Sequence, residues 1–162
     1  MNKLKAIVIG CGRIGSEYDE DGKRKVISSH AGAYFNNSKV ELAGVCDLDK
    51  SKAEKAAAKW NTKAYLDIDE ILANEKPDLI SICTWENTHA KILEKCVRYN
   101  PKAIWCEKPI AKTVEEAKKM ISLCKENGIK LQVNYMRRFS PLYREVAEFL
   151  KSGKVGKVQK IT

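Results

Sequence analysis

The chain has 162 residues, of which 44% are hydrophobic and 31% charged, and its formal net charge is +9. This length suits one ordinary domain, and the composition is typical of a globular protein with a real core. No apolar run is long enough to span a bilayer, and the N-terminus lacks a signal-peptide cleavage site, so we expect a cytoplasmic protein with no membrane partner. The lysines are dispersed among acidic residues, which favours a solvated surface over a nucleic-acid partner.

Short apolar runs alternate with helical patterns along most of the chain. We predict strands at Leu4–Ile9, Val40–Cys46, Ala64–Tyr65, Leu79–Cys83, Ala103–Cys106 and Leu131–Val133. We predict helices at Ser29–Asn36, Ser51–Trp60, Ile68–Asn74, His89–Arg98 and Val114–Asn127. Several strands are apolar on both faces, as in the interior of a parallel sheet. The alternation predicts an α/β fold with a doubly wound, mostly parallel Rossmann sheet.

The pattern changes near the end of the sequence. Ser140-Pro141 opens a helix over Leu142–Lys151, and "KVGKVQKIT" begins a strand over Val155–Ile161 that has no partner. We therefore interpret residues 1–139 as one domain. Residues 140–162 would be a linker helix and the first strand of a second domain that is truncated or absent.

Six cysteines are spread along the chain. No pair has the Cys-x-x-Cys spacing of a zinc site, so no metal is expected. Most of them fall in strand-like or helical apolar patterns, as expected for buried free thiols in a reducing compartment. Cys11 lies within a glycine-rich turn, where it could be exposed to an oxidant.

That turn follows the first strand in the stretch "AIVIGCGRIG". Gly10 permits a tight turn, Gly12 permits close approach of a phosphate, and Gly15 permits close packing of the next helix on the strand. The pyrophosphate of a dinucleotide would then lie at a helix N-terminus. An ordinary strand-to-helix turn is the alternative, because the motif alone is weakly specific.

Asp47 directly follows the second strand, where an acidic residue would hold the adenosine ribose. It lies farther from the glycines than the usual distance of roughly 20 residues, because a polar insertion, Ser16–Ser29, intervenes. A carboxylate repels a 2′-phosphate, so Asp47 favours NAD over NADP, while Arg13 supplies positive charge nearby and leaves NADP possible. In the alternative interpretation Asp47 only caps a loop, and Asp49 competes for the ribose.

The stretch "CTWENTHA" follows the fourth strand. It places Thr84, Glu86 and Asn87 at the carboxyl edge of the sheet, where ligands bind in this architecture. His89 lies at the same edge and is equally compatible with a ligand contact and with a structural role.

The stretch "WCEKPIA" follows the fifth strand and carries the charged pair Glu107 and Lys108. A lysine there can hydrogen-bond a substrate hydroxyl and stabilise charge during hydride transfer. Spacing alone does not separate this role from that of a surface ion pair.

These stretches occur, together with "VNYMRRFSP" and "GKVGKV" downstream, in the order of the glucose-fructose oxidoreductase, inositol dehydrogenase and rhizopine-catabolism (Gfo/Idh/MocA) family, which the whole chain resembles. The resemblance implies an NAD(P)-dependent oxidoreductase that transfers hydride between nicotinamide and a sugar- or cyclitol-like alcohol or ketone. It also implies a second α/β domain with a catalytic histidine, and a homo-oligomer for the intact enzyme. We expect this chain alone to bind dinucleotide and to turn over little. A non-catalytic NAD(H)-binding sensor is the alternative.

The resemblance assigns cofactor contacts residue by residue, with Lys108 as the active-site lysine. The contacts would be Gly10, Gly12, Arg13, Ile14 and Gly15 at the pyrophosphate, Asp47 at the ribose, Thr84, Glu86, Asn87, His89, Glu107 and Lys108 at the nicotinamide side, and Asn134 and Arg138 near the domain junction. Trp85 departs from the family pattern, which often has proline at that position.

Overall fold

The computed structural model describes residues 3–160. Within them, one sheet of six parallel strands has the order β3-β2-β1-β4-β5-β6. The strands are β1 (Leu4–Ile9), β2 (Val40–Cys46), β3 (Lys63–Tyr65), β4 (Leu79–Ile82), β5 (Ala103–Cys106) and β6 (Lys130–Val133). The α-helices are α1 (His30–Phe35), α2 (Lys50–Trp60), α3 (Ile68–Glu75), α4 (His89–Val97), α5 (Val114–Glu126) and α6 (Pro141–Lys151). This strand order is that of the dinucleotide-binding sheet, and it confirms the predicted fold class.

The predicted strand over Val155–Ile161 is wrong for the residues that the structure describes. Residues 155–160 form no strand and are exposed, and Ile161 lies outside the described residues. Gly153 and Gly156 both adopt positive φ angles (75° and 71°), which turn the backbone away from an extended path. The apolar alternation in this segment therefore does not produce a strand within residues 155–160.

The sheet has helices on both faces, and β1 contributes to both cores. Ile7 and Ile9 belong to the cluster packed with α3, α4 and α5, whereas Ala6 and Val8 belong to the cluster packed with α1 and α2. Successive side chains of a strand point to opposite faces, so a central strand covered on both sides must be apolar throughout. That pattern is what made β1 recognisable in the sequence.

The insertion Ser16–Ser29 interrupts the first helix without changing its course. The carbonyl oxygens of Ile14 and Gly15 accept hydrogen bonds from the N–H groups of His30 and Ala31, each at 3.0 Å. The helical turn that begins at Gly12 thus continues directly into α1. A short 3₁₀ helix (Glu17–Glu20) lies inside the insertion, and the predicted insertion before the helix is confirmed.

Asp19 connects the beginning of the insertion to its end. Its Oδ1 accepts from the Ser28 N–H at 2.6 Å, and its Oδ2 accepts from the Ser29 N–H at 3.1 Å. Ser29 is itself the N-cap of α1, where its hydroxyl accepts from the Gly32 N–H at 3.0 Å. One carboxylate therefore anchors both the loop and the start of the helix.

α6 follows a second 3₁₀ helix (Met136–Phe139) and contributes no buried residue. Its apolar stripe is formed by Leu142, Val146 and Phe149, which are at least half exposed. Within residues 3–160, no helix, α6 included, is long and apolar enough to cross a membrane.

Asp78 ties together the starts of three strands. Its Oδ2 accepts from the Lys5 N–H at 2.9 Å, and its Oδ1 lies 2.9 Å from Lys102 Nζ. The hydrogen bond from Lys102, joined by that from the Lys5 backbone, holds the pKa of Asp78 below its ordinary value of 3.8. Because the folded pKa is the lower one, this stabilisation is present above the ordinary value and is lost as the pH falls through the folded value.

Replacing Asp78 with asparagine is expected to lower the free energy of unfolding at neutral pH by about 1 kcal/mol. This deficit in unfolding free energy should shrink as the pH falls below 3.8. Urea unfolding of both proteins at neutral pH and below pH 3.8 would measure it. Asp69→Asn is the matched control, because the Asp69 side chain in the Lys95–Asp69 pair is 57% exposed, against 28% for Asp78, so its loss should cost less stability. A deficit independent of pH would contradict this assignment.

Candidate functional site

A cavity of about 1510 Å³ opens at the carboxyl edge of the sheet. It lies where β1 and β4 are neighbours, which is the point at which the chain switches from one side of the sheet to the other. Ligands of open α/β sheets bind at this switch point. The predicted site residues that line the cavity are Gly10, Gly12, Arg13, Ile14, Asp47, Thr84, Glu86, Glu107, Lys108 and Asn134.

Gly10 and Gly15 hold the turn together by close backbone contact. Gly10 has a φ of +96°, and a Cβ there would lie 2.8 Å from the Cys83 carbonyl group. A Cβ on Gly15 would lie 1.9 Å from the Gly10 carbonyl oxygen. Around Gly12, in contrast, a Cβ would meet no atom within 4 Å. Gly12 is thus the glycine at which the fold leaves space beside the backbone for a ligand.

The turn also offers unpaired donors. Within residues 3–160, the N–H groups of Gly12, Arg13, Ile14 and Gly15 have no protein acceptor. They form the first turn of the interrupted helix, where free N–H groups and the helix dipole favour an anion. The geometry therefore fits the pyrophosphate of a dinucleotide better than an ordinary turn would.

Asp47 and Asp49 have different roles in the fold. Asp47 Oδ2 accepts from the Cys11 N–H at 2.8 Å, which fixes this carboxylate beside the glycine turn. Its Oδ1 accepts from the Asp49 N–H at 2.9 Å. Asp49 caps α2 by accepting from the Ser51 N–H at 2.9 Å. Asp47 is therefore the better placed of the two for a ribose contact, and it retains free lone pairs for one.

The structure does not bring four of the predicted residues to the cavity wall. Gly15 is buried against Gly10, and the Asn87 side chain is exposed outside the cavity. Arg137, and not its neighbour Arg138, lines the cavity. An arginine pair leaves this choice open in the sequence, because the turn of the 3₁₀ helix decides which side chain faces inward.

His89 is the fourth of these residues and is fully buried (0% exposed). Its Nδ1 lies 2.9 Å from the carbonyl oxygen of Pro109, and its Nε2 lies 3.1 Å from that of Thr84. The ring therefore connects the Thr84 loop to the Lys108 loop. This geometry supports a structural role for His89 in place of the expected contact with nicotinamide.

Comparison with known proteins identifies the family. Residues 4–135 match the family described as "Oxidoreductase family, NAD-binding Rossmann fold" (GFO_IDH_MocA). The chain belongs to this family. The resemblance carried by the sequence motifs is thereby confirmed.

The curated relatives include dehydrogenases of inositols. The chain is 33% identical over 155 residues to the inositol 2-dehydrogenase of Rhizobium meliloti. The matched region covers 96% of this chain and 43% of the relative. It is 30% identical over 161 residues to the scyllo-inositol 2-dehydrogenase (NAD(+)) of Bacillus subtilis, covering 96% and 42%.

A solved structure gives the same picture. The crystal structure of myo-inositol 2-dehydrogenase from Lactobacillus plantarum superposes with a TM-score of 0.82 at 25% identity, over 97% of this chain and 43% of that one. The chain thus spans less than half the length of the relatives it matches. It is an NAD-binding Rossmann domain of this oxidoreductase family.

Within this family domain, the Glu107 side chain turns inward from the cavity wall. Its Oε1 lies 3.0 Å from His30 Nε2 and also accepts from the Asn134 amide, and its Oε2 accepts from the Lys108 N–H at 3.3 Å. Burial by itself raises the pKa of Glu107, but the hydrogen bonds from His30 and Asn134 outweigh it and hold the pKa below its ordinary value. Lys108 itself is exposed beside this buried carboxylate, at the cavity.

Several residues of the wall were not among the predicted contacts. They include Tyr18 from the insertion, Lys52 from α2, Trp85, Lys91 from the first turn of α4, and Arg137. The first turn of a helix after a ligand-binding loop is a general place to look for such residues, and it would have found Lys91. Tyr18 reaches the wall only because the insertion folds back beside the glycine turn.

The cysteines are all buried and unpaired. The expectation that an oxidant could reach Cys11 is wrong, because this residue is only 1% exposed. Burial, with the nearby charge of Asp47 in second place, raises the pKa of the Cys11 thiol well above its usual range. Burial likewise raises the pKa of Cys46 and Cys106 to about 12. A protonated, inaccessible thiol is a poor nucleophile.

We expect the native protein to react with a thiol reagent such as DTNB only at the rate at which it opens or unfolds. In urea, all six cysteines should react promptly. The time course of thiol modification, compared with and without urea, would measure this. Rapid modification of Cys11 in the folded protein, identified by peptide mapping, would show that the turn opens.

Proposed function

We propose that the cavity binds NAD with its pyrophosphate at Gly12–Gly15, its adenosine ribose at Asp47 and its nicotinamide toward Lys108. The observation that carries this proposal is the juxtaposition of the unpaired N–H groups of the glycine turn with Asp47 along one part of the wall, and of Lys108 along another. A dinucleotide needs both parts in one cavity. The family match and the relatives' names support the same reading.

NAD bound there supplies the hydride acceptor for oxidation of an alcohol. Lys108, exposed at the cavity, would donate a hydrogen bond to the substrate oxygen and stabilise the negative charge that develops on it. The substrate class we propose is a sugar or cyclitol alcohol, or the matching ketone in the reverse direction. The inositol dehydrogenases among the relatives support that class.

The remainder of the catalytic machinery would come from a second domain. We propose that residues 1–139 form the NAD-binding unit and that residues 140–162 lead into a substrate domain. The exposed apolar stripe of α6 and the limited share of the relatives that the chain covers support this division. The intact enzyme would be a homo-oligomer of the cytoplasm, where its six buried free thiols stay reduced.

The position of Asp47 leads to a test of cofactor choice. We expect the chain to bind NADH at least about tenfold more tightly than NADPH, because a carboxylate opposes a 2′-phosphate. Quenching of Trp85, which is 80% exposed and lines the cavity, would report binding, and Trp85→Phe would identify its share of the signal.

Asp47→Asn should narrow the preference toward parity. Asp67→Asn is the matched control, since Asp67 caps α3 through the Glu70 N–H at 2.9 Å and does not line the cavity. An unchanged NADH to NADPH ratio in Asp47→Asn would assign the ribose contact elsewhere.

Lys108 leads to a test of the enzymatic role. The chain alone should convert myo-inositol and NAD to NADH only in trace amounts. Lys108→Ala should leave NADH affinity within about threefold, since an exposed charge contributes little to binding, while abolishing turnover in a version joined to a substrate domain. Assays of NADH absorbance and binding titrations measure the two effects. Robust turnover by the chain alone, or by Lys108→Ala, would refute this division of roles.

A further inference from the structure

A row of buried polar side chains extends inward from the cavity and joins α1 to Lys108. His30, the first residue of α1, is 2% exposed, and its Nε2 lies 3.0 Å from Glu107 Oε1. Its Nδ1 lies 2.8 Å from Ser81 Oγ, and the Ser81 and Tyr34 hydroxyls are hydrogen-bonded at 2.9 Å. We call this group the His30 network; its members are Tyr34, Ser81, His30 and Glu107. Of its four members, the sequence motifs single out only Glu107, and the proposed hydride transfer uses none of them.

The chemistry of the Glu107 carboxylate fixes the proton on the ring. An ionised carboxylate only accepts hydrogen bonds, so His30 Nε2 must carry the N–H that faces it. The Ser81 hydroxyl donates its proton to the Tyr34 oxygen and contacts His30 Nδ1 through Oγ. Burial raises the pKa of Tyr34 to about 12, so the phenol at the far end keeps its proton. The His30 network is then hydrogen-bonded throughout.

The position of the His30 ring is set by the glycine turn. The His30 N–H donates to the carbonyl oxygen of Ile14 at 3.0 Å, and Ile14 belongs to the first turn of the interrupted helix. The ring also packs against Trp105, with 4.1 Å between the ring centroids. The imidazole is therefore held by the same backbone that would bind the pyrophosphate.

Glu107 connects His30 to the backbone of Lys108. Its Oε2 accepts from the Lys108 N–H at 3.3 Å, while the Asn134 amide supplies a second donor to its Oε1. The carboxylate is almost fully buried, so it needs these donors to stay ionised inside the protein. Without His30, the carboxylate would lose one of the two side-chain donors at Oε1, and a carboxylate that turned toward the cavity for another partner would release the Lys108 N–H.

We propose that His30 is a positioning residue that acts through Glu107 to hold the Lys108 turn as the wall for the nicotinamide half of the cofactor. This inference rests on the proposed NAD site. It assigns to a buried residue outside the cavity wall a role in cofactor binding and in the placement of the active-site lysine. A merely stabilising residue would not distinguish the two halves of the cofactor.

The test compares NADH with ADP, which carries only the adenosine and pyrophosphate half. In titrations of the 162-residue chain, His30→Leu should weaken NADH binding at least about tenfold and leave ADP binding nearly unchanged. His30→Gln, whose amide can donate to Glu107, should recover most of the NADH affinity. Met120→Ala is the matched control, because Met120 is buried in the core outside the His30 network and the cavity wall. Its loss should not alter the ratio of the affinities for NADH and ADP.

The outcomes separate the two proposals. If the unmodified chain binds NADH and the ratio is the same in His30→Leu, the role of His30 is refuted and the NAD site stands. If the unmodified chain binds neither ligand, the NAD site fails and this inference fails with it. Equal weakening of both ligands shows a purely stabilising role and also refutes the inference.

A second measurement covers the case in which His30→Leu does not fold. Nitrogen-15 NMR of the histidine rings in the unmodified chain should find a proton on His30 Nε2, and Glu107→Gln should shift that resonance. A ring that carries no proton on Nε2 refutes the inference. So does a His30 resonance that is unaffected by Glu107→Gln.

Discussion

The close approach of two stretches of backbone in the glycine turn is the constraint on which the rest of the site depends. A Cβ on Gly15 would lie 1.9 Å from the Gly10 oxygen, and one on Gly10 would lie 2.8 Å from the Cys83 carbonyl group. No side chain can be accommodated at either position without moving backbone. The contact holds the first helical turn against β1 and β4, so the unpaired N–H groups of that turn lie at the switch point of the sheet.

Two hydrogen-bonded connections extend from this turn toward the ends of the cavity. One runs from the Cys11 N–H to Asp47 and fixes the acid that would meet the adenosine ribose. The other runs through the interrupted helix to His30, and from there to Glu107 and the Lys108 N–H. The second connection survives the insertion because the carbonyl oxygens of Ile14 and Gly15 accept from residues that follow it in sequence. A loop can lengthen at this point at little cost to the helix.

The sequence predicted most elements to within about one residue because the strands are apolar on both faces and the helices have a clear apolar stripe. The strand expected over Val155–Ile161 was wrong since apolar alternation alone does not supply a neighbouring strand. The expected contact of His89 with nicotinamide is not supported by its position, because both of its ring nitrogens face backbone carbonyl groups. Nothing in the sequence shows this arrangement.

The sequence by itself determined the fold class, the glycine turn, and the set of polar residues that follow the strands, because each depends on local pattern and on the rule that ligands bind at the carboxyl edge. Only the tertiary structure decided which members of that set line the cavity. It placed Arg137 and not Arg138 at the wall, it gave Asp47 and Asp49, which both line the cavity, different hydrogen-bond partners, and it paired His30 with Glu107. The physical reason is that a buried carboxylate must find donors wherever the packing provides them, and residues far apart in the chain meet only once the sheet and its helices have assembled.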